Sequence, residues 1–557
     1  MARTPLIACL LALLAAPVSV SALAQEPDSS CPTGLAEAYL DINNVRARLL
    51  NDGMLFWRGS PYGYEVPNGS GRNGILSAAI WVTGLIDDSL RAAATTYRPA
   101  EYWPGPLADD GSAGGDCSKF DRIWSMDRDI IEEYERTGRV RPDLAGWPTG
   151  LGAPTLDAAG NRIDLMMWPL SQRLDRVIDL EKGERPLLSG DQMHWWIMND
   201  AGGEHRTTGS PPIGVEIQMT AFAFGGSGVI RNTTFYRLLL RKPAGPPLEE
   251  AHFGLYADTD LGYPADDYVG SDSLLGLAYT YNADNFDQGE IGYGMAPPAL
   301  GIDFLRGPLV DADGIDNDGD QRTDEPGERL AMTTAKNRDE SPIDAQALHN
   351  HLQGLWWDGR SMTEGGGGLN FSEIPTKWMF SGSPPAYWSE LNSDGIGSGV
   401  APAHRTVLSG MGPFVLSSDQ PQEILIGIIT SFGADNLDSI RQLKEDDVFI
   451  QNLVDDGLLD LPAPSEPVPQ QYDLAASFYP IPAAGSLTMR YSLPSEMAVR
   501  IDVFDLLGRL RAGLVDATEP PGWHSEAIDV STWRPGVYLA RLQMDHRTFT
   551  RKLVVVR

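Results

Sequence analysis

Three features of the sequence predict a mainly β, multidomain architecture: a β-sandwich body with one short helical segment, followed by a C-terminal immunoglobulin-like antiparallel β-sandwich. Apolar and polar residues alternate with period two, most clearly over Ile213–Thr220, which puts Ile213, Val215, Ile217 and Met219 on one side of an extended chain. Glycine (59) and proline (41) are abundant without a strict period, as suits many turns between short strands. A length of 557 residues exceeds what one hydrophobic core organises, so several domain-sized units are expected.

In chain order, Met1 to Ala24 carries a positive start at Arg3, an apolar run from Leu6 to Ala16, and Ala22-Leu23-Ala24 before Gln25. This is the pattern of a cleaved signal peptide. The apolar run is shorter than the roughly 18 residues a membrane-spanning helix needs, and no transmembrane span is expected in the mature chain. Cys9 leaves with the leader, so Cys31 and Cys117 remain. In an oxidising compartment such a pair commonly bridges, contributing roughly 2–4 kcal/mol; the other reading is two unrelated buried thiols.

Asp41 to Pro106 reads as short strands between Gly, Pro and Asn clusters, and Phe120 to Tyr134 as one amphipathic helix. Further strands are expected at Phe235–Leu240 and at Ile424–Ile429, the latter apolar throughout, as in a strand covered on both faces. Residues 25–461 form the body, with two subdomains of about 25–205 and 206–461 as one option. Pro462, Pro464, Pro467 and Pro469 mark a linker over 462–471. Residues 472–557 form the last domain.

There are 76 acidic and 43 basic residues, a formal charge of −33. Such a surface repels phosphate backbones and anionic lipids, which excludes nucleic acid as a partner. The last domain holds ten basic and nine acidic residues, so the acidity belongs to the body. Dense carboxylates serve either calcium binding or solubility in salty surroundings.

In the last domain, Leu487, Met489, Tyr491 and Leu493 alternate with polar residues, and Val499–Phe504, Val537–Leu542 and Leu553–Val556 supply further strands. Tyr479-Pro480-Ile481-Pro482, Tyr491-Ser492-Leu493-Pro494, Val503-Phe504-Asp505-Leu506-Leu507-Gly508-Arg509, Gly536-Val537-Tyr538 and Thr550-Arg551-Lys552-Leu553 follow in order. Together they resemble the type A C-terminal sorting domain of type IX secretion substrates, the Por secretion family. Ile481 departs from that pattern, which usually has Asn between the prolines. The resemblance implies export through the periplasm to the cell surface or the medium, with the type IX machinery as partner of this domain. The body, with Leu40-Asp41-Ile42-Asn43-Asn44-Val45-Arg46-Ala47 and Tyr64-Glu65-Val66-Pro67-Asn68-Gly69-Ser70-Gly71, is similar to uncharacterised exported proteins, which implies no activity.

Two acidic segments are candidate structural calcium sites. Asp311, Asp313, Asp316, Asp318, Asp320, Asp324 and Glu325 crowd one turn-prone stretch, and carboxylates at that density repel unless a cation lies among them. Counted from Asp316, oxygens fall at loop positions one, three, five and nine, resembling dockerin and thrombospondin-repeat loops. Gln321 stands where the turn glycine belongs and Gly327 where a bidentate Glu belongs. The second segment is Asp258, Asp260, Asp266, Asp267 and Asp272, where alternate residues of a turn can converge on one ion; surface acids beside a strand end are the competing reading.

His349 and His351 are two imidazoles for one strand face, without HExxH or a third ligand. Trp195-Trp196 and Trp356-Trp357 would each expose one ring on a strand, a platform for sugar, although indoles more often fill cores. No GxSxG elbow is present, and neither mature cysteine has a histidine nearby in sequence. The reading is a calcium-stabilised, exported cell-surface protein of structural, adhesive or glycan-binding role, with no catalytic residues assigned and a glycan or surface polymer as partner. A secreted hydrolase acting on polysaccharide or protein is the alternative.

Overall fold

The computed structural model describes residues 31–557 apart from 60–62, 98–100, 166–167, 311–326, 338–343, 458, 460–474, 480–482, 484, 494–495, 520–521, 545–546 and 557. The leader, the proline-rich linker and the acidic stretch Asp311, Asp313, Asp316, Asp318, Asp320, Asp324 and Glu325 lie outside the described residues.

The described body is built on two large antiparallel sheets. In the first, Leu248–Asp258 lies between Ser77–Ile86 and Thr406–Leu416, with Thr334–Asn337 beyond the latter and the strands of residues 37–75 beyond the former. In the second, the order is Asp267–Asp272, Leu277–Asn282, Ala299–Arg306, Gln422–Ser431, Thr233–Arg241, Glu216–Ala223 and Gln192–Asn199. Each sheet takes strands from both sides of residue 205.

Period-two alternation converts these strands into layers. Along Ser77–Ile86, Ala78, Ile80 and Val82 enter the core shared by the two sheets, where they meet residues such as Met219 and Ile426. Ala79 and Trp81 point the other way, against Leu348 and Leu352 of helix Ala345–Leu352. That helix packs closely because residue 254 is glycine: a Cβ there would lie 2.2 Å from Leu352 Cδ2. On the outer face of the second sheet, Phe222, Leu425 and Ile429 pack with Leu443, Ile450 and Val454 of helix Asn436–Asp455. Each such side chain contributes roughly 1.5–3 kcal/mol relative to exposure. Asp435 caps the helix by accepting from the amide of Asp438 at 2.8 Å.

The body therefore has more helix than the one short segment expected. The segment predicted over 120–134 is helical only as Arg128–Thr137, because Trp124–Asp127 is a strand paired with Gln192–Trp195. Trp195 and Trp196 do point to opposite faces, but both faces are covered: Trp196 lies in the inter-sheet core and Trp195 in the outer one, each 1% exposed. In the second pair Trp357 is exposed and Trp356 buried, outside any strand. His349 and His351 lie on helix Ala345–Leu352, not a strand, and residues two apart on a helix diverge. A disulfide joins Cys31 to Cys117.

The C-terminal residues form two antiparallel sheets, Ala475–Tyr479, Ser486–Leu493 and Gly522–Asp529 in one, and Leu510–Glu519, Met497–Asp505, Gly536–Met544 and Arg547–Val555 in the other. Leu487, Met489, Tyr491 and Leu493 share one core with Ile501, Val503, Leu542 and Leu553, as their alternation predicts. Among the described residues no helix is long and apolar enough to cross a membrane.

Candidate metal centre

Strand register assembles one rim of the body. Asp258 ends Leu248–Asp258 and stands opposite Thr406 on one neighbouring strand and Ser77 on the other. His404 precedes Thr406 by two residues, so this pairing brings its ring to the carboxyl. His404 Nε2 lies 2.7 Å from Asp258 Oδ1 and 3.2 Å from Asp260 Oδ1. One donor atom from each of the three residues falls within 4.8 Å of the others. Neither Oδ1 accepts a hydrogen bond, so the ring contact is an ion pair without hydrogen-bond alignment. The other oxygen, Asp258 Oδ2, accepts from the Tyr97 hydroxyl, which is 3.1 Å from the Tyr256 hydroxyl and edge-on to Trp57. Asp258 is buried, whereas half of the His404 side chain is exposed.

The electrostatics follow from this crowding. The carboxylates of Asp258 and then Asp260 push the His404 imidazole up to about 10. Burial raises the Asp260 carboxyl, and the charge of Asp258 adds to this against the opposing pull of His404. Burial, with Tyr256 and Asp258 beside it, moves the Tyr97 phenol upward.

A second group lies on the same connection, where Asp267 starts its strand opposite Asn282. Asp267 Oδ2 accepts from the amide of Leu261 at 3.1 Å, while its Oδ1 has no hydrogen-bond partner. Asp266 is 8% exposed, and neither of its carboxylate oxygens has one. Asp287 accepts from the amides of Tyr263 at 3.0 Å and Tyr293 at 2.7 Å. The turn before it requires glycine, since a Cβ on Gly262 (φ +74°) would fall 1.9 Å from Asp287 Oδ2. Burial raises all three carboxyls, Asp287 to about 6 and Asp267 well above the usual range; Asp266 adds like charge beside Asp267 and Asp287, and Asp284 does so beside Asp266.

The five acids expected to converge are thus divided. Asp258 and Asp260 join His404; Asp266 and Asp287 act by charge on Asp267, and Asp266 on Asp287, but among the described residues only the His404 group brings three ligand atoms within 4.8 Å of one another. Asp272 belongs to neither: it stands at the other end of strand Asp267–Asp272, roughly 17 Å along an extended chain, and pairs with Lys444 at 2.8 Å. His404 and Asp287 were not singled out by the sequence. His404 is brought in by strand pairing across 146 residues, and Asp287 is one aspartate among 76 acidic residues.

A third buried charge cluster is closed on itself. Glu101 accepts from the amides of Ala94, Thr207 and Thr208 at 3.0, 2.7 and 2.6 Å. Asp200 accepts from Ile213, Gly214 and Val215 at 2.5, 2.9 and 2.7 Å. His205 lies between them, its two ring nitrogens 2.8 Å from Ala92 O and 2.7 Å from Asp200 O.

Fold and rim together define a class: a two-sheet β body with a carboxylate-rich edge, in a chain that ends in a small two-sheet antiparallel domain. Residues 477–556 match the family described as secretion system C-terminal sorting domain, so the chain carries a type IX secretion sorting tail. It is an exported protein, directed to the cell surface or extracellular space, and the tail is its point of interaction with the type IX machinery. No curated protein matches the chain. Among solved structures, a polysaccharide lyase is 8% identical over 61% of this chain, with a TM-score of 0.19. Dimeric latent PorU from Porphyromonas gingivalis is 12% identical over 66%, with a TM-score of 0.14. The chain spans 34% and 32% of those two proteins. Superpositions of this quality carry nothing about activity.

Proposed function

We propose that the chain is a surface-delivered type IX cargo whose body is stabilised by calcium and serves a non-catalytic structural, adhesive or glycan-binding role. The observation that carries this reading is the pair of buried Asp266 oxygens and the Asp267 Oδ1 that meet no protein donor. Several hydrogen-bonding sites left empty on buried carboxylates cost about 1–3 kcal/mol each, and an oxygen-seeking cation among Asp266, Asp267 and Asp287 offsets that cost. The acidic stretch from Asp311 to Glu325 is a second calcium site on the strength of its spacing. Phe371 and Tyr387, both exposed, flank Gly365 and supply the aromatic surface a glycan partner would stack on. The leader Met1 to Ala24 carries the chain into the periplasm, and the tail takes it across the outer membrane. The secreted hydrolase remains the second reading, favoured by the convergence of Tyr97, Asp258, Asp260 and His404.

Isothermal titration of the chelator-treated protein with calcium tests the first claim. Saturable binding that weakens in Asp266→Asn supports it, and binding indifferent to Asp266→Asn and Asp267→Asn overturns it. For the route, removal of residues 472–557 is expected to abolish surface delivery in cells with an intact type IX apparatus, read by surface proteomics; unchanged delivery would break the assignment.

A further inference from the structure

We propose that Asp258, Asp260 and His404 form a solvent-open site for a divalent transition metal of the zinc class, distinct from the oxygen-only calcium site. The donor set is the first reason. Calcium takes six to eight oxygens, whereas imidazole with carboxylates suits zinc and its neighbours. The spacing is the second. Ligand atoms about 2.1 Å from a zinc ion at tetrahedral or right angles are separated by roughly 3.0–3.4 Å; the ring-to-Asp260 separation of 3.2 Å falls in that range, and the ring-to-Asp258 separation of 2.7 Å would open by a few tenths of an ångström around an ion.

The third reason is what the three groups leave undone. His404 Nε2 faces two carboxylate oxygens, and neither oxygen accepts a hydrogen bond. Asp258 Oδ1 is a buried acceptor without a donor, aimed at the same point as Asp260 Oδ1 and the ring nitrogen. Asp258 Oδ2 is held by the Tyr97 hydroxyl, so one oxygen is fixed by a neighbour and the other is presented. Outer partners that orient a ligating carboxylate in this way sharpen metal affinity. Tyr97 is a positioning residue in this arrangement. The half-exposed face of His404 leaves room for water, or an oxygen of a bound molecule, to complete the coordination.

The test uses the full mature chain, freed of metal by chelator and titrated with cobalt(II) as a spectroscopic substitute and with zinc by calorimetry. One equivalent of cobalt should give the visible bands of a low-coordinate site, and zinc should displace it. His404→Ala and Asp260→Asn should each weaken binding at least tenfold. Asp266→Asn should leave cobalt binding intact while weakening calcium, so the two sites fail separately. His404→Gln, which keeps a polar group at this half-exposed position, serves if His404→Ala unfolds. Cobalt or zinc binding that is absent, or is the same in the wild type and a folded His404 variant, would overturn the assignment.

Discussion

Two clusters of buried charge in one body are built from the same residue types and behave in opposite ways. Around His205, each carboxylate is filled by backbone amides and each ring nitrogen faces a carbonyl oxygen. Along the rim from Asp258 to Asp287, carboxylate oxygens are buried to a similar degree but several have no donor. A carboxylate surrounded by amides that cannot leave is a structural element. One left short of donors is complete only with a proton or a cation from outside.

The largest expected effect lies in the closed cluster. Asp200→Ala strands three buried amides, and denaturant unfolding should show a loss of about 3–5 kcal/mol, the same with or without calcium. A loss below about 1 kcal/mol would erase the contrast. In the open cluster the sign should depend on the ion. Excess chelator should lower the melting temperature, since a ligand at a hundred times its Kd contributes about 2.7 kcal/mol. Asp266→Asn should destabilise in calcium yet stabilise by roughly 1 kcal/mol in chelator, where the unpaired acid is only a burden. A variant with one sign in both conditions would show that no ion completes the cluster.

The smallest effect concerns a third arrangement, completed by a proton. Asp447 of helix Asn436–Asp455 adjoins Asp303 of strand Ala299–Arg306, and burial raises both carboxyls, Asp447 to about 7. Asp272 and Asp446 add like charge near Asp447. A carboxyl raised by folding supplies stability that is complete below the ordinary carboxylate range and lost as the pH climbs through about 7. The advantage of Asp447→Asn should therefore be absent near pH 3 and grow as the pH rises to 8, by about 1.4 kcal/mol per unit at most, measured by unfolding at both. An equal effect at the two values would mean that the pair does not retain its proton.

Much of the architecture was legible because alternation is local. Ile217 and Met219 enter the inter-sheet core as their spacing requires, and Ile424–Ile429 is covered on both sides. The sorting tail was legible from ordered motifs spread over its length. Helix Asn436–Asp455 carried a readable signal in Asp435 and in the spacing of Ile440, Leu443, Ile450 and Val454; its charged residues Lys444, Glu445, Asp446 and Asp447 obscured the apolar stripe. The rim was only half legible. Asp258, Asp260, Asp266 and Asp267 are close in sequence, but the partner that divides them, His404, arrives through strand pairing that no local pattern encodes.

The order of strands in the second sheet also bears on when this chain can fold. Gln422–Ser431 is the last strand of the body to leave the ribosome, and it lies between Thr233–Arg241 and Ala299–Arg306. Until it arrives, those two strands present bare edges, which invite pairing with other molecules. The sandwich is sealed from its middle by nearly the final segment before the tail, so a nascent or truncated chain ending before residue 422 is an aggregation hazard, and the body gains its native form only after it has been made in full.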